Sequence, residues 1–210
     1  MFGNMNIDQQ IAVISAGAAL LGSLIGAMAT LLGTWLTKKM QENGKITLFV
    51  KPVFSHSDVK RWSGFYRSES KPGMLLQIPV WLDVCNTSGI PRIVRNVNMY
   101  AYKAKKEIAP LVQIQRIDNG KKTILLGDNE SYTLVIPANS SKRFNLEFVL
   151  LEHDVESDQK DFDELILSYF DEHNRIHAFH FLKIDSCWVE GELSLEKKWI
   201  SMEKRCNYAR

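Results

Sequence analysis

The chain has 210 residues, 45% of them apolar and 24% charged, with 26 Lys and Arg against 24 Asp and Glu for a formal balance of +2. So even a balance argues against a general nucleic-acid binder, which concentrates basic charge. Three cysteines (Cys85, Cys187 and Cys206), an odd number without close spacing, argue against a disulfide-built exported domain and fit reduced thiols.

Residues 1–10 read as a short exposed tail that carries Asp8 and no lysine or arginine. From Ile11 to Leu36 no residue is charged. As a helix this stretch is roughly 39 Å long, enough to cross a hydrocarbon core of about 30 Å with some tilt. A lone segment crosses lipid only as a helix, which satisfies its own backbone groups. A secretory signal peptide has a basic start and a shorter apolar run, so residues 11–36 are expected to be a single transmembrane helix. Lys38, Lys39 and Lys45 follow the span, outweighing Glu42, and Trp35 sits at the interface. The positive side tends to stay in the cytoplasm. The expected localisation is therefore the inner (cytoplasmic) membrane, single-pass, with the N-terminus outside and the remainder cytosolic.

Within the span, Gly22 and Gly26 form a GxxxG step. Ala18, Gly22, Gly26, Thr30 and Gly33 are the candidate helix-packing residues, and Thr34 continues the four-residue step. Ser15, Ala19, Ser23 and Ala27 make a second small row. Lipid gives no hydrophobic reward for pairing, so close approach through small residues is what joins helices. A homo-oligomer is the expectation. The span has no ionisable residue and is no proton relay.

Residues 37–45 read as a polar linker, and residues 46–190 as one β-sandwich or barrel domain. Short runs rich in Val, Ile, Leu, Phe, Tyr and Thr alternate with turn residues. The runs are 46–54, 74–84, 93–102, 111–117, 122–126, 131–136, 143–150, 163–170 and 176–184, about nine antiparallel strands. In 74–84, Leu76, Ile78, Val80, Leu82 and Val84 share a face at period 2, and Pro79 on the other face predicts an edge strand or bulge. In 143–150, Phe144, Leu146, Phe148 and Leu150 face one way, Asn145 and Glu147 the other. Asp118-Asn119-Gly120 is the strongest hairpin signal. Residues 191–210 carry a helical period over 194–205 (Leu195, Trp199, Met202), read as a short C-terminal helix packed on the domain or lying on the membrane surface.

No catalytic motif appears: there is no G-x-S-x-G elbow, no phosphate loop and no G-x-G-x-x-G. A non-enzyme without a cofactor is expected. Histidines 153, 173, 177 and 180 lack zinc spacing, so no metal is expected, and His180 reads as a core or cross-strand residue. The acidic run 152–164 lacks the glycine of a calcium loop and reads as a solvated connection. Arg92, Arg95, Lys121, Lys122, Lys142 and Arg143 sit at strand ends, as do Lys103, Lys105 and Lys106. The first six are the candidate site for an anionic small ligand, since Arg and Lys at sandwich ends suit phosphate groups.

A short outer tail, a glycine-rich span, a lysine stop and a cytosolic β-domain together resemble the small membrane effectors of bacterial anti-phage systems. These include the β-barrel effectors that respond to cyclic oligonucleotides. This chain has one span where that group commonly has two, and none of its binding residues is carried over. The resemblance implies a dormant protein whose β-domain senses a signal, such as a nucleotide, then multimerises and lets the spans disrupt the inner membrane. The alternative is a membrane-anchored adaptor that tethers a partner protein through its β-domain.

Overall fold

Helix α1 runs from Ile7 to Glu42, beyond the uncharged stretch at both ends. Its start is fixed by a capping box. Asn6 Oδ1 accepts the Ile7 N–H at 2.8 Å, and Gln9 Oε1 accepts the Asn6 N–H at 3.3 Å. At the other end Lys38 pairs with Glu42 at 3.9 Å, and the Asn43 N–H donates to Met40 O at 3.3 Å. The polar residues 37–42 therefore belong to the helix, and the linker shortens to Asn43–Lys45. This is a computed structural model, and it describes residues 6–55, 60–69, 71–117, 122–126, 132–156, 160–196, 198–202 and 206. It separates into one unit ending at Asn43 and a second beginning at Gly44.

The second unit is a sandwich of two antiparallel sheets. Its thirteen described strands are β1 (Ile46–Pro52), β2 (Gly64–Arg67), β3 (Met74–Asn86), β4 (Arg92–Lys103), β5 (Lys106–Pro110), β6 (Val112–Ile117), β7 (Lys122–Leu126), β8 (Leu134–Ile136), β9 (Ser140–Leu151), β10 (Glu164–Phe170), β11 (Ile176–Lys183), β12 (Gly191–Glu192) and β13 (Ile200–Ser201). One sheet runs β12-β2-β3-β9-β6-β7, with β1 also on β3 and β13 on β1. The other runs β11-β10-β4-β5, with β8 on β4. All nine expected strands are present, and the sequence reading missed β2, β5, β12 and β13. The pairing of β6 with β7 sets Ile117 opposite Lys122, as a hairpin requires. The turn itself, Asp118-Asn119-Gly120, lies outside the described residues.

The long strands β3 and β9 form the spine, paired from Leu75↔Leu151 to Asn86↔Ser140. Their shared register turns Leu76, Ile78, Val80, Leu82 and Val84 inward with Leu146, Phe148 and Leu150, all buried. The other sheet answers with Val94, Val97, Met99, Leu165 and Leu167. Each such side chain contributes about 1.5–3 kcal/mol by leaving water. In β4 the inward positions Val94 and Val97 are three apart, because a bulge intervenes. Ser168 faces Asn98 but Phe170 faces Arg95, and Asn96 takes a φ of 47°.

Two expectations need correcting. Pro79 does not mark an edge strand, since β3 is central. The Pro79 carbonyl accepts the Val53 N–H at 3.1 Å, so its nitrogen faces the same side, at the junction where β2 ends and β1 begins. A missing donor there breaks no ladder bond. Among its described residues the tail does not form the expected helix. Ile200 and Ser201 pair with Val50 and Phe49, and the Met202 N–H donates to Leu48 O at 2.9 Å. Met202 is buried in the core, so the tail closes the open edge of β1 instead of coiling. An unpaired strand edge outweighs a weak helical period. Residues 197, 203–205 and 207–210 of the expected helix and tail lie outside the described residues.

Candidate functional site

Two features bear on function: the apolar helix and the charged ends of the sandwich. No residue of α1 is buried. The hydroxyls of Thr30, Thr34 and Thr37 donate to the carbonyls four residues back, at 2.8, 2.8 and 2.9 Å, and Ser23 donates to Leu20 O at 2.8 Å. These polar groups are satisfied within the helix, which suits hydrocarbon surroundings. A Cβ built on Gly17, Gly22, Gly26 or Gly33 meets nothing within 4 Å. Among the described residues of the single chain, nothing requires glycine there. Ala18, Gly22, Gly26 and Thr30 follow one four-residue step along the helix, with Gly33 adjoining. By length and composition, α1 qualifies as one membrane-crossing helix.

The candidate anion-binding cations divide among several partners. Arg92 donates from Nε to Ser88 Oγ at 3.2 Å and pairs with the Glu172 carboxylate. Arg95 donates to Asp171 O at 3.1 Å and to Asn174 Oδ1 at 3.0 Å. Arg143 grips Asp83 with two bonds of 2.7 and 2.9 Å. Its guanidinium also lies 5.0 and 4.9 Å from the ring centroids of Trp81 and Trp199. Lys142 sits 5.3 Å from the Phe144 ring. Lys122 is exposed at the start of β7, and Lys121 lies outside the described residues. Arg92 and Arg95 meet at the β10–β11 turn, whereas Lys142 and Arg143 stand on β9.

That turn is held by Asp171. Its Oδ1 accepts the His173 and Arg175 N–H groups, both at 2.9 Å, and its Oδ2 lies 2.9 Å from His177 Nε2. Burial raises the Asp171 carboxyl, but these contacts outweigh it and hold its pKa below the usual carboxylate value. The His177 ring stacks on Tyr169, centroids 4.9 Å apart. His180 is exposed, so the core half of its expected role is corrected. A register shift between Leu165 and Ile166 accompanies its turn outward, and it meets Glu164 on the neighbouring strand. The acidic run begins as a 3-10 turn, Glu152–Asp154. Glu152 accepts the Met74 N–H at 3.0 Å, which lowers its pKa, and Asp154 pairs with Lys71 at 2.9 Å. Among the described residues no group of three His, Cys, Asp or Glu is arranged to hold a metal ion.

The sequence reading missed two constellations. The first is a buried network on the outer face of the larger sheet. Glu147, on the strand face opposite the apolar row of β9, is 7% exposed. Arg116 reaches it from Nε at 2.9 and 3.0 Å and from Nη2 at 2.7 Å; Ser55 lies at 3.2 Å, and Gln77 also donates to it. The connection after β1 carries Ser55 onto this face, with the Ser55 N–H bonded to Arg61 O at 2.7 Å. Alternation alone does not reveal a covering segment. The carboxylate's acceptor capacity is met, so the network is structural. Desolvation pushes the pKa of the half-buried Tyr132 hydroxyl, which accepts the Glu147 N–H at 3.3 Å, up to about 12.

The second is an open cleft of about 690 Å³ beside the β10–β11 register shift. It carries Lys105 and Lys183 with Asp163, Glu164, Asp185 and His180. Three carboxylates against two ammonium groups do not favour an anion. No protein-family model, no curated protein and no solved structure matches this chain.

Proposed function

We propose that this protein is a membrane-anchored sensor-effector. Helix α1 crosses the inner membrane with the sandwich on the cytosolic side, as Lys38, Lys39 and Lys45 against Asp8 favour. Copies associate through the row of Ala18, Gly22, Gly26 and Thr30, and the gathered spans disrupt the bilayer once the β-domain recognises its signal. The setting is anti-phage defence, on the resemblance in layout. This action needs no catalysis and no cofactor. The observation that carries the reading is the empty space over Gly22 and Gly26, which leaves glycine there without a reason among the described residues of the chain.

The alternative is an adaptor whose sandwich tethers a partner protein. The pairing of Arg92, Arg95 and Arg143 with groups of the domain favours it, because an anionic signal such as a nucleotide would have to displace those contacts. Replacing Gly22→Leu and Gly26→Leu separates the two. The effector reading expects a smaller assembly in detergent and survival of cells that overproduce the chain. If neither assembly size nor survival changes, the effector reading fails and the adaptor reading stands.

A further inference from the structure

The end of the sandwich where the chain enters is built differently from the rest. A Cβ on Gly44 would come within 2.2 Å of Ser88 Cα, so the entering backbone lies directly on the β3–β4 turn and only glycine fits. The Lys45 N–H donates to Thr87 Oγ1 at 3.1 Å, and the Thr87 N–H donates to Lys45 O at 3.2 Å. Asn86, 2% exposed, locks this turn to the β8–β9 turn: its side-chain amide donates to Ile90 O at 2.8 Å and to Pro137 O at 2.9 Å. The Asn139 N–H adds a bond to Ser88 O at 2.9 Å. On this fixed frame Ile93 and Val135, register partners in β4 and β8, point outward and are 37% and 56% exposed. Pro91 and Pro137 are exposed beside them, and Lys45 and Lys142 are exposed at the same end.

Exposed apolar side chains beside fixed turns, with two exposed ammonium groups at the same end and the carboxylates of Asp171 and Glu172 engaged by His177 and Arg92, suit a lipid surface. The connection also points to lipid. The four steps from Glu42 to Ile46 span at most roughly 14 Å when fully extended. Whatever surrounds the end of α1 therefore lies within reach of this end of the sandwich. We propose that this end rests on the bilayer surface, with Ile93 and Val135 at the headgroup–acyl boundary and Lys45 and Lys142 on anionic headgroups. The proposal rests on α1 being a membrane span. It gives the domain a defined orientation on the membrane and leaves the Glu164–His180 cleft at the opposite end of β4, away from lipid.

The test uses the full chain with alanine at its three native cysteine positions, in vesicles of phosphatidylcholine and phosphatidylglycerol. A single environment-sensitive dye is attached at Val135→Cys or, as a control, at Val189→Cys. Val189 is 61% exposed and follows β11, at the far end. The dye at 135 is expected to emit to the blue and to be at least about threefold less quenched by aqueous iodide than the dye at 189. Lys45→Glu with Lys142→Glu is expected to reduce that protection. Equal quenching at both positions, with the chain still in the alkali-resistant membrane fraction, overturns the docking and leaves the span intact. Loss of the chain from that fraction overturns the span and the docking with it. Protection that disappears below one chain per vesicle assigns the surface to a second copy and overturns the lipid assignment.

Discussion

Glu147 and Arg116 form a buried ion pair in which the arginine meets one carboxylate through two nitrogens, while Ser55 and Gln77 complete the shell. Removing one partner leaves an uncompensated charge away from water. Glu147→Ala and Arg116→Ala are each expected to cost about 3–5 kcal/mol in denaturant unfolding. Replacing both with leucine is expected to cost less than the sum of the single losses. At Asp171 the lowered pKa sets a pH dependence. A depressed carboxylate contributes stability that is present above its unfolded pKa of about 3.9 and is lost as pH falls through the folded value. Thermal melting followed downward from neutral pH is expected to show this loss, and Asp171→Asn is expected to flatten it. These two sites also mark where sequence was silent. The alternation around Glu147 is that of an ordinary half-exposed strand. Nothing in it announces that the segment carrying Ser55 returns across that face. The arginines of the candidate anion site were visible as residues, but their partners, Glu172, Asp83 and the Asp171 carbonyl, come from distant parts of the chain.

At the scale of elements, hydrophobic period did most of the work. The inward row of β3 from Leu76 to Val84 and that of β9 from Leu146 to Leu150 were legible, because one buried face imposes a two-residue repeat. Short strands carry too few residues for such a signal. β12 and β13, of two residues each, exist only because a neighbouring edge offers partners. The tail shows the cost of trusting a period over so short a run. Leu195, Trp199 and Met202 suit a helix face, yet pairing with β1 and burial of Met202 prevail. Met202→Ala is therefore expected to destabilise the fold by about 2–5 kcal/mol, as core truncation does. A loose surface helix would show almost no change in the same unfolding experiment. Gly44→Ala tests the entry point, since a methyl group there collides with the Ser88 backbone. The variant is expected to lower the melting temperature, and an unchanged value would contradict the close approach.

For the whole molecule, the order of parts was readable from the start: one apolar helix, a short connection and a sandwich. The helix outlasts its uncharged stretch because capping at Asn6 and the Lys38–Glu42 pair carry it onward, and neither depends on hydrophobicity. Everything proposed about assembly, docking and signal response requires this helix to lie in lipid. Its length, its uncharged composition and its internally satisfied hydroxyls are the physical grounds for that claim. Extraction of cell membranes with alkaline carbonate measures it directly. The account predicts that the full-length chain stays in the membrane pellet. Release of the intact chain into the supernatant would contradict it.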